Sequence, residues 1–313
     1  MTYVNTISGK IDVNDLGLTL VHEHLIIRSE IIKDQFPHLY DEENLYKKAL
    51  DAVKSVQKQG VKTICDPTIA GMGRDVKFLE RIANETGIQI VTATGYYSFN
   101  EIPMHFQTHD IDYLAEAFIR DIEVGIQNTT IKAGFLKCAT EDQGVTPDVE
   151  KVLRAVARAQ KRTGVPIMTH SHPASENGLK QLEIFLEEGV NPKAIMIGHS
   201  GDTTDLTYIQ KLLDSGAFIG MDRYGQGPLP YPERNETLLK VLKQGNTNRV
   251  FLSQDYCCSI DWYPDEMVKE MLPEWSMTFL LDEVIPTLQK EGITDEQIHT
   301  IMYDNVQNWF GYK

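Results

Sequence analysis

The chain has 313 residues, of which 42% are hydrophobic, and its formal net charge is −15. This acidic balance argues against a protein that binds nucleic acid or an anionic membrane surface, because both attract basic patches. The first residues, MTYVNTISGK, carry no basic leader, and no stretch reaches about 18 apolar residues, so we expect neither a signal peptide nor a membrane span. The four cysteines, Cys65, Cys138, Cys257 and Cys258, are therefore interpreted as reduced thiols of a cytoplasmic protein.

Short apolar segments alternate with longer amphipathic ones along almost the whole chain. The apolar segments predict eight strands: Leu18–His22, Lys62–Asp66, Ile88–Ala93, Gly134–Lys137, Pro166–Thr169, Ala194–Gly198, Phe218–Met221 and Val250–Leu252. Nearly every residue in these segments is apolar, which is typical of parallel strands that are covered on both faces.

The segments between the strands place apolar residues at helical spacing. They predict helices at Glu43–Gln59, Val76–Thr86, Tyr113–Ile126, Val149–Thr163, Gly178–Glu188, Leu206–Asp214 and Glu236–Gln244. Asp148 follows a proline and precedes one of these segments, so we expect it to be the N-cap. Glycines such as Gly87 and Gly164 follow many of the helices, as left-handed C-caps do. The tail from Ser276 to Phe310 predicts two closing helices.

Repeated strand–helix units with short returns favour a closed (β/α)8 TIM barrel of the α/β class over an open doubly wound sheet, although both share the same local pattern. No linker or shift in composition divides the chain. We therefore expect a single domain over residues 1–313.

Residue types that bind metals stand at the carboxyl ends of the predicted strands, where such barrels carry their active sites. The candidates are His22, His24, Lys137, His170, His199 and Asp255. A single histidine on an apolar strand is more often a core residue, but this clustering at five strand ends indicates a metal centre. His22 and His24 are two residues apart on a strand and therefore point to the same side. Glu23, between them, is interpreted as a packing or supporting residue.

Lys137 is an unusual candidate, because an ammonium group beside two divalent cations would be repelled and burial lowers the pKa of a lysine. A neutral lysine can react with carbon dioxide to give a carbamate, N6-carboxylysine, whose two oxygens can bridge two metals. The alternative is a lysine whose amine reaches solvent at the barrel rim. His172, two residues beyond His170 and directly before Pro173, is interpreted as a loop residue.

The segments that carry these candidates resemble the phosphotriesterase family of the amidohydrolase superfamily over essentially the whole chain. They are LVHEHL, VKTICDPT, TATGYYSF, KAGFLKCAT, VPIMTHSHP, IGHSGDT, IGMDRYG and LSQDYCCSIDW. The chain is similar to the phosphotriesterase-like lactonases in particular at Tyr97, at Arg223 and in the stretch CCSIDW that ends at Trp262.

The resemblance implies two divalent metal ions, with zinc, iron, cobalt and manganese as the open choices. It implies that His22, His24 and Asp255 bind the more buried ion and that His170 and His199 bind the more exposed one. A carboxylated Lys137 and a hydroxide would bridge the pair. Asp202, in the sequence HSGD, matches an acid that supports the site in the family.

The resemblance further implies a lactonase of the quorum-quenching type, acting on N-acyl homoserine lactones and other alkyl lactones, with promiscuous hydrolysis of organophosphate triesters. The bridging hydroxide would attack the carbonyl, the Tyr97 hydroxyl would stabilise the developing oxyanion, and Asp255 would pass the proton to the leaving alkoxide. Arg223 and Trp262 would shape the substrate pocket. Homodimerisation is also implied.

Two other functions remain open from the sequence. One is a dedicated phosphotriesterase or another esterase of the amidohydrolase type, which the relative rates on a lactone and on paraoxon would distinguish. The other is a non-catalytic barrel that binds a ligand or partner, which a metal-free native protein would favour.

Overall fold

Parallel strands form the centre of the protein in this computed structural model, which describes residues 2–312. Within those residues an eight-stranded sheet comprises, in chain order and here called the first to eighth barrel strands, Thr19–Leu20, Thr63–Asp66, Gln89–Tyr96, Phe135–Ala139, Ile167–His170, Ile195–Ile197, Phe218–Met221 and Val250–Leu252. Each pairs in parallel with the next along the chain. The predicted (β/α)8 barrel of the α/β class is confirmed.

The first and eighth barrel strands meet only beyond their carboxyl ends. There Glu23–His24 pairs in parallel with Tyr256–Cys257, and the Asp255 N–H donates to the His22 carbonyl at 3.0 Å. We call this contact, between residues 22–24 and 253–258, the seam. The seam brings the predicted ligands at the two ends of the chain side by side.

Amphipathic helices surround the barrel, and the predicted ones are confirmed with boundaries shifted by up to five residues. They are Glu42–Gln57, Val76–Thr86, Ile111–Glu123, Pro147–Thr163, Asn177–Glu187, Leu206–Asp214 and Tyr231–Lys243. Shorter helices, Glu30–Gln35, Met104–Thr108 and Asp265–Met271, lie in the loops that follow the first, third and eighth barrel strands. Single 3-10 turns occur at Val13–Asp15, Pro37–Leu39, Pro173–Ser175, Pro192–Ala194 and Thr247–Arg249. In residues 2–312, no helix has the length and apolar character needed to cross a bilayer.

The helix Pro147–Thr163 begins before Asp148, so the prediction that Asp148 is its N-cap was wrong. Thr146 is the cap, and its hydroxyl accepts the Val149 N–H at 3.2 Å. Pro147 occupies the first helical position, where its missing N–H leaves no bond unmade. The Asp148 carboxylate instead accepts the Ile102 N–H at 3.0 Å, which ties the helix to the loop after the third barrel strand.

The two ends of the chain close the amino-terminal end of the barrel. An antiparallel hairpin, Tyr3–Thr6 with Gly9–Asp12, was not predicted from the sequence. The predicted pair of closing helices is confirmed as Ile285–Lys290, preceded by a π-helical turn at Leu280–Val284, and as Asp295–His299 with Asn305–Phe310, joined by a π-helical turn at Thr300–Asp304. Trp309 is fully buried there, and its indole N–H donates to the Ala194 carbonyl at 3.2 Å.

Candidate metal centre and active site

Asp255 lies at the centre of one group of predicted ligands, on the seam. Its Oδ1 is 3.2 Å from Nε2 of His22 and 3.2 Å from Nε2 of His24. These atoms come from opposite ends of the chain and are almost completely buried. Two imidazole nitrogens and one carboxylate oxygen at this separation form a compact donor set for one cation.

The other predicted ligands adjoin this group. His199 Nε2 is 3.9 Å from Asp255 Oδ2 and 2.9 Å from His170 Nδ1. The backbone of His199 has φ +61° and that of Asp255 has φ +49°. Such left-handed conformations are rare for residues other than glycine and concentrate at functional sites, where the surrounding structure holds them in place.

Asp222, which was not predicted from the sequence, fixes two of the histidines. Its Oδ2 is 2.7 Å from His22 Nδ1, and its Oδ1 is 3.1 Å from His199 Nδ1. Burial by itself raises the pKa of a carboxyl, but His199 and His22 hold the pKa of Asp222 well below its usual range. An ionised carboxylate keeps the proton on Nδ1 of both rings. Each Nε2 is then unprotonated and faces the ligand cluster with a lone pair that can bind a metal. An acid at the end of the seventh barrel strand, directly before Arg223, was the signal in the sequence.

The remaining two histidines are fixed by Thr68 and Glu141, which sequence reasoning also missed. The Thr68 hydroxyl lies 2.7 Å from His24 Nδ1, so this ring also presents Nε2. Glu141 Oε2 lies 3.3 Å from His170 Nε2, so this ring presents Nδ1 instead. Burial opposes ionisation of Glu141, but the hydrogen bond from His170 lowers the pKa of its carboxyl to about 2.

Lys137 extends into the same cluster from the fourth barrel strand. The side chain is fully buried, with Nζ 3.4 Å from His22 Nε2 and 3.4 Å from the Thr169 carbonyl. Burial lowers the pKa of Lys137 to about 8, so the neutral amine, the form that can react with carbon dioxide, is more populated near neutral pH than it is in an exposed lysine. Gly95 on the third barrel strand permits this placement, because a Cβ there would lie 1.8 Å from the Lys137 carbonyl oxygen.

Arg223 connects Asp255 to the predicted supporting acid, Asp202. Its Nε is 3.3 Å from Asp255 Oδ2, and its Nη1 donates to Asp202 Oδ2 at 3.0 Å. The other oxygen of Asp202 accepts from Arg234, which is fully buried, at 2.6 Å. The carboxylate of Asp202 therefore reaches the cluster through an arginine, while its backbone N–H donates to the carbonyl of the predicted ligand His199 at 3.0 Å.

A cavity of about 300 Å³ opens on the cluster and also contains the predicted pocket residues Tyr97, Arg223 and Trp262. The Tyr97 hydroxyl hydrogen-bonds to Glu141 and lies 3.3 Å from His170 Nδ1. Its ring is 6.2 Å from that of Trp262, centre to centre. Much of the remaining wall is apolar and is formed by Ile27, Met72, Ile260, Val268, Met271, Leu272 and Trp275.

Three other residues near the cluster occupy distinct places. His172 lines the cavity, but its Nδ1 is 2.8 Å from the Ser175 hydroxyl. It belongs neither to the group of His22, His24 and Asp255 nor to that of His22, His199 and Asp222, the two groups in residues 2–312 that could hold a metal ion. Gln254 points into the barrel wall, where its Oε1 accepts the Leu280 N–H at 2.8 Å. Glu23 is fully buried, and its carboxylate accepts hydrogen bonds from across the seam.

The donor chemistry fits transition-metal cations: histidine nitrogens with fixed orientations, a buried carboxylate and a buried amine of lowered pKa. This donor set, at the carboxyl ends of barrel strands and inside a cavity, is that of a metal-dependent hydrolase. The comparisons with known proteins specify the family. The model of the phosphotriesterase family matches residues 2–310, and the chain belongs to that family, whose members depend on a binuclear metal centre.

Relatives are similar over almost their full length. An aryldialkylphosphatase from Saccharolobus solfataricus is 46% identical over 303 residues, covering 96% of each chain. The structure of a phosphotriesterase from Mycobacterium tuberculosis superimposes with a TM-score of 0.95 at 41% identity, covering 98% of each chain. A human N-acetyltaurine hydrolase is more distant, at 23% identity, with 99% of this chain and 98% of the relative covered.

Proposed function

We propose that this protein is a binuclear-metal lactonase of the quorum-quenching type, acting on N-acyl homoserine lactones and other alkyl lactones and, more slowly, on organophosphate triesters. The observation that carries the proposal is the cavity, which joins the ligand cluster to an apolar wall that includes Trp262, Met271 and Leu272. Such a wall suits an alkyl chain, while the cluster suits a polar ester group.

The proposed ligands divide into two sets that share Lys137. His22, His24 and Asp255 would hold the more buried ion, and His170 and His199 the more exposed one, with Lys137 as a carbamate between them. Zinc, iron, cobalt and manganese are all compatible with these donors. When bound, such cations lower the pKa of a coordinated water and polarise the oxygen of a carbonyl or phosphoryl group.

Asp255 and Tyr97 act on the reacting atoms in this proposal. As the water oxygen bonds to the carbonyl carbon and the ring C–O bond breaks, Asp255 accepts the water proton and transfers it to the leaving alkoxide, which gives a hydroxy acid. Burial raises the pKa of a carboxyl, but His22 and its neighbours hold the pKa of Asp255 well below its usual range, so the group is ionised and has a free oxygen lone pair for the proton. The Tyr97 hydroxyl, 3.3 Å from His170 Nδ1, can turn from Glu141 to the developing oxyanion.

Arg223 and Trp262 position the groups around these atoms. Arg223 lies 3.3 Å from the Asp255 carboxylate and orients it, while the Trp262 ring gives a rigid surface for the acyl chain. A triester also places charge on an oxygen in its transition state, so the same groups serve it. The 46% identical aryldialkylphosphatase supports this secondary activity.

The proposal includes two properties of the whole protein. The first is a homodimer, supported by an exposed apolar segment after the first barrel strand in which Ile31 is 75% exposed, Phe36 48% and Leu39 65%. The second is a cytoplasmic location, which stays a prediction from the sequence.

A substrate comparison tests the activity. We expect kcat/KM to be far higher for a long-chain N-acyl homoserine lactone than for paraoxon. Tyr97→Phe removes one donor to the oxyanion and should lower lactone turnover by up to about 100-fold, and paraoxon turnover by less. Trp262→Ala should raise KM for long-chain lactones, because the acyl chain loses an apolar surface, and should raise KM for paraoxon less, because paraoxon has no long acyl chain.

The alternative is a dedicated phosphotriesterase, and the same measurements distinguish it. Paraoxon hydrolysis faster than lactone hydrolysis would favour that alternative. Equal losses on both substrates in both variants would show that Tyr97 and Trp262 support the fold without selecting the substrate.

A further inference from the structure

Glu23 stands between two proposed metal ligands, but its carboxylate points across the seam. Its Oε1 accepts from the Ser253 hydroxyl at 2.7 Å and from the Gln254 N–H at 3.2 Å, while Oε2 accepts from the Tyr256 N–H at 2.8 Å. The side chain is fully buried. A single carboxylate thus holds the chain on both sides of Asp255.

Asp255 needs such support because its backbone is left-handed, with φ +49°, a conformation that few residues other than glycine adopt. Its own N–H donates to the His22 carbonyl at 3.0 Å. This turn of the backbone is what directs the carboxylate to 3.2 Å from Nε2 of both His22 and His24. A relaxed, extended residue at this position would point its side chain elsewhere.

We propose that Glu23 is a positioning residue for the more buried metal, holding residues 253–256 in the conformation that presents Asp255 as a ligand. The proposal rests on the proposed ligand set. It assigns Glu23 more than packing, because both oxygens of its carboxylate accept hydrogen bonds, from the Ser253 hydroxyl and from the N–H groups of Gln254 and Tyr256. In a glutamine, one of those acceptors would become an NH2 group facing a backbone N–H or a hydroxyl.

Zinc retention in the loaded full-length enzyme tests this role. Glu23→Gln should release one of two zinc ions to a competing chelator about 10- to 100-fold more readily than the wild type, as is typical when an outer partner of a metal site is lost. Asn305→Ala is the matched control. Its amide donates to the Val250 carbonyl at 2.8 Å, at the amino end of the same eighth barrel strand, so this variant should lower Tm without changing zinc retention.

Glu23→Asp, which keeps the charge but shortens the reach, gives the same readout if the glutamine variant does not fold. Wild-type zinc retention in a soluble Glu23 variant would overturn the proposal. So would a zinc loss that Asn305→Ala reproduces at an equal decrease in Tm. Asp255→Asn tests the ligand set separately: if it retains both zinc ions as tightly as the wild type, the ligand assignment is wrong whatever Glu23 does.

Discussion

Carboxylates set the orientation of the rings of His22, His170 and His199, and Asp222 sets two of these three. One oxygen faces His22 at 2.7 Å and the other faces His199 at 3.1 Å. Both rings must then carry their proton on Nδ1, which leaves Nε2 for a metal. The chemistry of the candidate centre therefore depends on a residue outside the proposed ligand set.

Asp222→Asn should reduce metal binding with little change in shape. The amide would place an NH2 group opposite one of the two Nδ1 atoms, forcing that ring into the tautomer with a proton on Nε2. We expect metal content to fall from two ions toward one per chain, and kcat/KM to fall by about 10- to 100-fold. Elemental analysis and lactone kinetics measure this.

Asp121→Asn is the control for this substitution. Asp121 pairs with Arg74 at 2.8 Å outside the cluster, so its loss should affect Tm and leave the metal content unchanged. A wild-type metal content in Asp222→Asn would show that the shared carboxylate does not determine the tautomers.

Lys137 should carry a carbamate in the metal-loaded enzyme. Burial lowers its pKa to about 8, and the neutral amine can bond to the carbon of carbon dioxide with loss of a proton. Reconstitution with metal and ¹³C-labelled bicarbonate should give one carbamate signal that is absent from Lys137→Met. A bare lysine amine in a fully metallated, active enzyme, seen by mass or by electron density, would contradict this prediction.

At the level of strands and helices, periodicity predicted most of the elements. Strands such as Phe218–Met221 and helices such as Leu206–Asp214 were predicted with their observed bounds, because continuous apolar runs and helical spacing are local signals. The N-terminal hairpin was missed because it is short and half polar. The starts of helices were predicted less accurately, because the N-cap is the residue whose side chain accepts a free N–H of the first turn. The choice between Thr146 and Asp148 shows this.

In the candidate site too, local sequence patterns predicted some residues, while residues that depend on non-local contacts were missed. The strand-end positions of His22, His170 and Asp255 were visible in the sequence. The roles of Thr68, Glu141 and Asp222 as partners of the histidines could not be assigned, because which acid or hydroxyl meets which ring depends on how neighbouring strands are staggered in the barrel. The seam, with contacts such as Ser253 to Glu23 across 230 residues, could not be read from any local pattern.

The cap of the helix Pro147–Thr163 gives a test at this scale. The Thr146 hydroxyl accepts the Val149 N–H at 3.2 Å, so Thr146→Ala should lower the free energy of unfolding by about 1 kcal/mol. Thr146→Ser keeps the hydroxyl acceptor and should retain most of this stabilisation. Equal losses in the two variants, measured by denaturant unfolding, would mean that the methyl group matters and the cap does not.

The two ends of the barrel have different roles in the whole molecule. Aromatic rings pack the amino-terminal end of the barrel. The centre of the Trp309 ring lies 5.9 Å from that of Phe135 and 5.6 Å from that of Phe251. The carboxyl-terminal end carries the cluster, the cavity and most of the long loops. Barrels of this kind place stability at the first end and chemistry at the second.

The proposed homodimer is tested at this scale. Leu39 is 65% exposed in the apolar segment after the first barrel strand, and Leu39→Glu would place a charge in an apolar contact between two copies. Sedimentation should give about twice 35.5 kDa for the wild type and 35.5 kDa for the variant. Val124→Glu is the control, since Val124 is 53% exposed and follows the helix Ile111–Glu123 on the opposite, amino-terminal end. A wild-type mass of 35.5 kDa at micromolar concentration would contradict the dimer.

The seam has a consequence for the order of events on the ribosome. His22, Glu23 and His24 leave the exit tunnel early, but Asp255 follows more than 200 residues later. A growing chain can hold cations only loosely until its last strand has docked against its first, so firm loading is postponed until synthesis is nearly complete. With the proposed ligands, the captured ions would then bind the earliest and latest parts of the polypeptide together, and a chain that has lost its final portion would be left without them.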